Sequence, residues 1–222
     1  MTRKTISLFA VIALLFAGHA VNAQAVIDAT GERLVDEFVN KVITLQGRFE
    51  QSLIDAEGEV VERSSGTLEI ERPGKFRWSY DEPYEQWLVA DGLNIWSYDV
   101  DLLQVTVKPQ ADALANTPAL LLGGGDDAVS QFRFDGSTVE QGTTWVRMLP
   151  LDTSSGFERM ELGFVNDQLT RMVFFDNLEQ TTLVALYDVT TNEPIDAERF
   201  VFRVPEDADL VGTPVVADAT AP

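Results

Sequence analysis

The segment around Pro73-Gly74 most constrains what this chain can fold into. Before it, Leu68 and Ile70 share their parity with Arg72, so these three side chains point to one face of a strand. Proline presets φ and glycine accepts a positive φ, so Pro73-Gly74 predicts a type II turn. After the turn, large apolar residues alternate with polar ones, and the apolar residues are Phe76, Trp78 and Tyr80. The segment is therefore predicted to be a β-hairpin whose apolar face ends at the Arg72 guanidinium.

The same period of two recurs along most of the chain from Leu45 onward. It predicts about eleven short strands joined by tight turns, because glycine, asparagine and aspartate punctuate the alternating runs. Residues 28–42 carry the apolar stripe of an amphipathic helix. A short apolar helix is predicted at Pro118, Ala119, Leu120, Leu121 and Leu122. We therefore predict a mainly β fold with few helices, in which one long antiparallel sheet must curl.

The two predicted helices are too small to fill the concave face of such a sheet. One interpretation is a cavity that apolar side chains line and the helices partly cover, of the kind that holds apolar ligands. The alternative is an ordinary β-sandwich with a filled core. The hydrophobic pattern alone favours neither.

The first residues have the features of a secretory signal. Arg3 and Lys4 precede an apolar run over 6–17, and Val21-Asn22-Ala23 places small residues at the sites that a signal peptidase recognises. We predict a signal peptide over 1–23, cleaved after Ala23, with an uncleaved membrane anchor as the alternative. A single domain is predicted over 24–204. Residues 205–222 are acidic and rich in small residues, which predicts a flexible tail.

Composition excludes several kinds of chemistry. The chain has no cysteine, and its one histidine, His19, lies in the predicted signal, so cysteine and serine-histidine catalysis are excluded and zinc binding is disfavoured. Carboxylates remain available for acid and base chemistry. The 36 acidic and 16 basic residues give a net charge of −20, and loss of Arg3 and Lys4 with the signal takes it to −22. A chain this acidic is repelled by nucleic acid and by anionic membranes.

Several short motifs between about Ile43 and Leu122 resemble those of one family. In chain order they are G-R-F-E-Q-S, R-P-G-K-F-R-W, L-V-A-D-G-L-N-I-W-S-Y-D, Q-V-T-V and N-T-P-A-L-L-L. Their order and spacing resemble the LolA family of periplasmic lipoprotein carriers. Val100 is a departure, since many members have proline there, and it affects a turn.

The resemblance implies a fold and a function. The implied fold is a half-open, incomplete β-barrel with a helical lid over a hydrophobic cavity. The implied function is to carry triacylated lipoproteins by their acyl chains through the periplasm, from an inner-membrane ABC-type releasing complex to an outer-membrane receptor. Such a carrier is a monomer that needs no cofactor and catalyses no reaction.

The resemblance also implies roles for particular residues. The arginine that fastens the lid falls on Arg72, the cavity phenylalanine falls on Phe76, and the lid falls on 118–122. We predict that the acyl-chain cavity is lined by Phe49, Leu68, Ile70, Phe76, Trp78 and Trp96. The packing alternative is that these residues are simply core, and that Arg72 extends to solvent or pairs with an acid.

Two other functions stay open from the sequence. A carrier or sensor of the same fold could bind another lipid or a glycolipid. A hydrolase could use paired carboxylates around Asp99 and Asp101, because two carboxylates at the right spacing cleave glycosides. With 36 acidic residues, however, such pairs also arise by chance.

Overall fold

A computed structural model describes residues 17–114, 122–123, 129–152 and 156–216. The helices are α1 (Ala17–Lys41) and α2 (Gln110–Leu114), and single 3₁₀ turns lie at Val129–Gln131 and Ala197–Phe200. The strands are β1 (Thr44–Ile54), β2 (Val60–Glu71), β3 (Lys75–Glu82), β4 (Gln86–Asp91), β5 (Asn94–Asp99), β6 (Gln104–Pro109), β7 (Phe132–Glu140), β8 (Thr143–Pro150), β9 (Phe157–Val165), β10 (Gln168–Asp176), β11 (Thr181–Thr191) and β12 (Asp209–Val211).

The described strands form one open sheet in the order β12-β6-β5-β4-β3-β2-β1-β11-β10-β9-β8-β7. Neighbouring strands are antiparallel except for β12, which runs parallel to β6. The prediction of a mainly β fold with few helices and one long, predominantly antiparallel sheet is confirmed. The predicted number of strands is one short, because the sequence pattern did not reveal β12.

The predicted hairpin at Pro73-Gly74 joins β2 to β3. Ile70 pairs with Phe76 and Leu68 pairs with Trp78, so their side chains share one face as predicted. Gly74 has a φ of +77°, the positive value that its place in the turn requires. The Arg72–Pro73 peptide is cis, which the sequence did not indicate.

One face of the sheet, here called the concave face, carries the larger hydrophobic core. Every strand from β1 to β5 and from β7 to β11 contributes to it, because alternate side chains of each strand point to the same side. Helix α1 covers this face with a buried stripe at helical spacing, made of Leu34, Val35, Phe38 and Val39. Packing thus supplies the stability that a lone amphipathic helix lacks.

Helix α1 starts earlier than the predicted 28–42, at Ala17, and ends at Lys41. Its first residues belong to the predicted signal, whose cleavage after Ala23 stays a prediction. Within the described residues, no helix combines the length and the hydropathy that a membrane crossing requires.

A second, smaller core lies on the opposite, convex face. It consists of the buried residues Val89, Trp96, Tyr98, Val105 and Val107. The chain after β11 covers it, since the Phe202 ring stacks on Trp96 with 5.3 Å between centroids. Arg199 fastens this segment by donating to both carboxylate oxygens of Glu69.

The structure differs from the prediction of a flexible tail that begins at residue 205. Strand β12 pairs with β6, and the Asn94 side chain forms two hydrogen bonds with the backbone of Val215, at 2.7 and 2.9 Å. Backbone pairing at a sheet edge needs no apolar pattern, which is why composition alone suggested a tail. Residues 217–222 lie outside the described part of the chain.

Candidate functional site

Five of the six predicted cavity residues lie together on the concave face. Phe49, Leu68, Ile70, Phe76 and Trp78 belong to β1, β2 and β3, and each side chain is at most 8% exposed. The Phe49 and Trp78 rings meet edge to face with 5.0 Å between centroids. The strands of this face therefore form one apolar wall, which α1 covers.

The prediction of Trp96 as a cavity residue is wrong. Trp96 has the parity of Tyr98 along β5, whereas Ile95 has the opposite parity and joins the concave core. Its Nε1 donates to Asp91 at 2.7 Å, and its ring stacks on Phe202. The sequence places Trp96 and Tyr98 on one face of β5 and Ile95 on the other. Both faces of this strand carry apolar residues, so alternation alone does not indicate which face points toward the cavity.

Arg72 is buried at the rim of the concave face. Its Nη1 donates to the carbonyl oxygens of Phe38 (2.8 Å) and Val42 (2.5 Å), and its guanidinium carbon lies 4.6 Å from the centroid of the Phe38 ring. Phe38 lies in the last turn of α1 and Val42 directly follows the helix. The helix dipole favours a cation at this C-terminal end. Burial lowers the pKa of Arg72 to about 10, so the guanidinium remains charged at neutral pH. These contacts join Arg72 to the end of α1, and its role in fastening a lid at 118–122 stays a prediction.

The predicted lid is mostly outside the described residues. Pro118, Ala119, Leu120 and Leu121 lie there, so their role as a lid that Arg72 fastens stays a prediction. Leu122 is helical and buried against the concave core. The next residue, Gly123, accepts a hydrogen bond at 2.6 Å from the backbone N–H of Gly74, so the β2–β3 turn contacts this segment.

Gln110 joins two hairpin tips below that segment. Its Nε2 donates to the carbonyl oxygen of Gly74 at 2.6 Å, and its Oε1 accepts from the backbone N–H of Gly92 at 3.0 Å. Gln110 is buried, so these bonds satisfy both ends of its amide. This role of Gln110 was not predicted, because no local pattern marks a glutamine as the bridge between two distant turns.

Helix α1 is also fastened near the predicted mature N-terminus. The Ser137 backbone N–H donates to the Asp28 carboxylate at 2.9 Å, and its hydroxyl donates to the Ile27 carbonyl at 2.8 Å. A β-carbon on Gly31 would lie 2.8 Å from the β-carbon of Ser137, so only glycine permits this close approach of helix and strand. A glycine inside a helix was the available sequence signal for this contact.

A polar cleft of about 530 Å³ lies at the other end of the wall from the β2–β3 turn. Gln51, Ser64 and Tyr80 continue β1, β2 and β3 beyond the apolar residues. Four carboxylate residues also line it, namely Glu62, Glu82, Asp99 and Asp101. Asp99 accepts from the backbone N–H of Leu102 at 3.0 Å, a bond that stabilises the β5–β6 turn. Asp99 and Asp101, the residues of the paired-carboxylate hypothesis, therefore both line this cleft, and Asp99 also has a structural role in the turn.

Tyr80 marks the boundary between this cleft and the apolar wall, and it offers a spectroscopic test. Its ring meets Phe49 edge to face, and burial raises the pKa of its phenol to about 12. We expect one phenol to titrate near pH 12 in ultraviolet absorbance, and Tyr80→Phe to remove that component. An unfolded tyrosine titrates near 10, so the free energy of unfolding should fall from about pH 10 to pH 12, where only the folded state keeps the proton. A titration without this late component would contradict the burial of Tyr80.

The family model for "Outer membrane lipoprotein carrier protein LolA" matches residues 40–203, which span β1 to the segment over the convex core. The chain belongs to the LolA family. The matched region contains all five residues of the apolar wall and Arg72. The motifs that resembled this family in the sequence therefore identified it correctly.

Individual LolA-family relatives match most of the chain. An outer-membrane lipoprotein carrier protein of Nitrosomonas europaea is 38% identical over 186 residues, which cover 83% of this chain and 90% of the relative. One of Methylococcus capsulatus is 34% identical and covers 90% of this chain and 94% of its own. An uncharacterised conserved protein of Thermus thermophilus has the same fold, with a TM-score of 0.51 at 16% identity, over 82% of this chain and 97% of that one.

Proposed function

We propose that this protein is a periplasmic carrier that binds the acyl chains of lipoproteins on its concave face and delivers them to the outer membrane. An inner-membrane ABC-type complex supplies the cargo and an outer-membrane receptor accepts it. The carrier acts as a monomer without cofactor or catalysis. Membership of the LolA family supports this function, as do the names of relatives that are 34% and 38% identical over most of the chain.

The observation that carries the proposal is the apolar wall and the way it is covered. The wall residues Phe49, Leu68, Ile70, Phe76 and Trp78 belong to the same buried cluster as the α1 stripe. Apolar packing is not directional, so acyl chains can replace the α1 stripe on the wall without a precise fit. Arg72 Nη1 donates to the carbonyl oxygens of Phe38 and Val42, and so it holds the C-terminal end of α1.

For the cargo to be released, α1 must compete with the acyl chains for the apolar wall. Burial of an acyl chain is worth about 0.8 kcal/mol per methylene, so several chains bound in a permanently open cavity would not leave. If cargo must first displace α1 and break the Arg72 bonds, those losses reduce the net affinity. A receptor with a site that is already open then takes the cargo, and the carrier needs no nucleotide hydrolysis.

A release assay tests the function. Protein purified after export is added to spheroplasts that synthesise a labelled outer-membrane lipoprotein. We expect the label to leave the membrane as a soluble one-to-one complex with the carrier. Folded carrier that releases no label beside a competent transporter would contradict the proposal, and extraction with mass spectrometry would then identify another bound lipid or glycolipid.

A further inference from the structure

The indole N–H of Trp78 is an unusual feature of the apolar wall. Trp78 is 8% exposed, and its Nε1 is buried without a hydrogen-bond acceptor among the described residues. A buried donor without an acceptor destabilises a fold, and native structures contain few of them. A phenylalanine would fill much of the same space at no such cost. Packing in the empty protein therefore does not explain why a tryptophan, with its N–H group, occupies this position.

Trp96 provides a comparison, because its indole N–H has a structural hydrogen bond. Its Nε1 donates to the Asp91 carboxylate at 2.7 Å on the convex face, and its exposure is also 8%. The two tryptophans thus have the same residue type and the same burial, but only one has an acceptor. This pair provides a matched comparison within one chain.

The position of Trp78 suggests which acceptor it meets. Toward the β2–β3 turn, Phe76 and Ile70 form an apolar pair inside the rim at Arg72, and Leu68 lies opposite Trp78 on β2. In the other direction, Tyr80 begins the polar cleft of about 530 Å³ with its four carboxylate residues. Trp78 lies between the two regions, with Phe49 beside it.

An acylated glyceryl lipid has the same sequence of polarity along its length. Its hydrocarbon chains come first, then the ester carbonyls, then the polar group that the chains anchor. A carbonyl oxygen accepts hydrogen bonds, and once buried it requires a donor. The ester carbonyl would otherwise be transferred from a hydrated interface into an apolar wall without compensation.

We propose that Trp78 Nε1–H donates to an ester carbonyl oxygen of the bound lipid, with the chains toward the β2–β3 turn and the polar end in the cleft. This inference rests on the proposed function and adds the depth and the direction of the lipid to it. The donor costs stability in the empty carrier, and binding removes that cost. Trp78 then selects acyl esters over hydrocarbon of the same length.

The binding test compares two synthetic lipopeptides whose glyceryl-cysteine carries either two palmitoyl esters or two hexadecyl ethers. We expect the wild-type carrier to bind the ester about fivefold more tightly, the effect of one hydrogen bond. Trp78→Phe should remove this preference, whereas Trp96→Phe should keep it. Loss of ring area weakens both ligands alike, so the ratio reports the hydrogen bond. An unchanged ester-to-ether ratio in Trp78→Phe would overturn the inference while leaving the carrier function intact.

A stability measurement on the empty protein tests whether the Trp78 N–H lacks an acceptor before lipid binds. Urea unfolding should show a smaller loss of stability for Trp78→Phe than for Trp96→Phe, because both variants lose ring area but only Trp96 loses a hydrogen bond. Trp96→Phe should raise the unfolding constant about tenfold or more, since it removes the indole donor from Asp91 Oδ2. Equal destabilisation by both variants would show that Trp78 already has an acceptor and would overturn the inference. Failure of the wild-type carrier to bind either lipopeptide would instead overturn the proposed function, and the inference with it.

Discussion

Arg72→Leu is expected to produce a carrier that loads lipoprotein but fails to pass it on. The change removes both hydrogen bonds to the Phe38 and Val42 carbonyls, which under the proposed function hold α1 in place until cargo displaces it. Hydrogen bonds to a charged donor contribute about 1.5–3 kcal/mol each before the cost of burying the guanidinium. With a net loss of about 2 kcal/mol from the closed state, cargo should be retained about 30-fold more strongly. Release from spheroplasts followed by transfer to outer-membrane receptor measures both steps.

Arg77→Leu is the matched control for this prediction. Arg77 lies on β3, shortly after the turn that contains Arg72, with its guanidinium 4.5 Å from the Trp87 ring on the face away from α1. Arg77→Leu, like Arg72→Leu, removes one positive charge from a strongly acidic chain, so the two variants have the same net charge. We expect Arg77→Leu to release and transfer at the wild-type rate. Normal transfer by Arg72→Leu, or equal defects in both variants, would show that the bonds to α1 do not regulate cargo.

The sequence predicted the elements that depend on local patterns. Alternation located the strands on both sides of Pro73-Gly74, and it put Leu68, Ile70, Phe76 and Trp78 on one face because strand periodicity is two. The helical stripe of α1 was predicted for the same reason, and the short motifs were specific enough to identify the family. Each of these inferences uses residues that are near one another in the chain.

The features that the sequence did not reveal depend on distant parts of the chain. Trp96 was assigned to the wrong face because residues 197–208 cover the convex side and make both faces of β5 apolar. The acceptors of Arg72 lie 30 and 34 residues away on α1, and the acceptor of the Gly74 N–H lies at Gly123. Strand β12 pairs through its backbone, which leaves no mark in the side-chain pattern.

The strongest effect on folding is expected from Gly66→Ala. The pairing of β2 with β3 shifts register between Ser65 and Gly66, which places this glycine in a bulge. A β-carbon on Gly66 would lie 1.8 Å from the Ser79 carbonyl oxygen, which is backbone and cannot rotate away. Relief of this overlap would have to separate β2 from β3 beside Phe49 and Trp78. We expect a loss of about 4 kcal/mol or more in the free energy of unfolding, measured by urea denaturation.

Ser65→Ala tests whether the overlap at Gly66, and not the bulge in general, produces this loss. Ser65 is the adjacent residue in the same bulge and it already has a β-carbon, so alanine adds no new contact there. We expect its free energy of unfolding to stay within about 0.5 kcal/mol of the wild type. A Gly66→Ala protein as stable as Ser65→Ala would mean that the two strands can separate at the bulge without cost. The apolar wall would then be a deformable surface, and the depth at which it binds a lipid would be set by the cargo instead of by the register of β2 and β3.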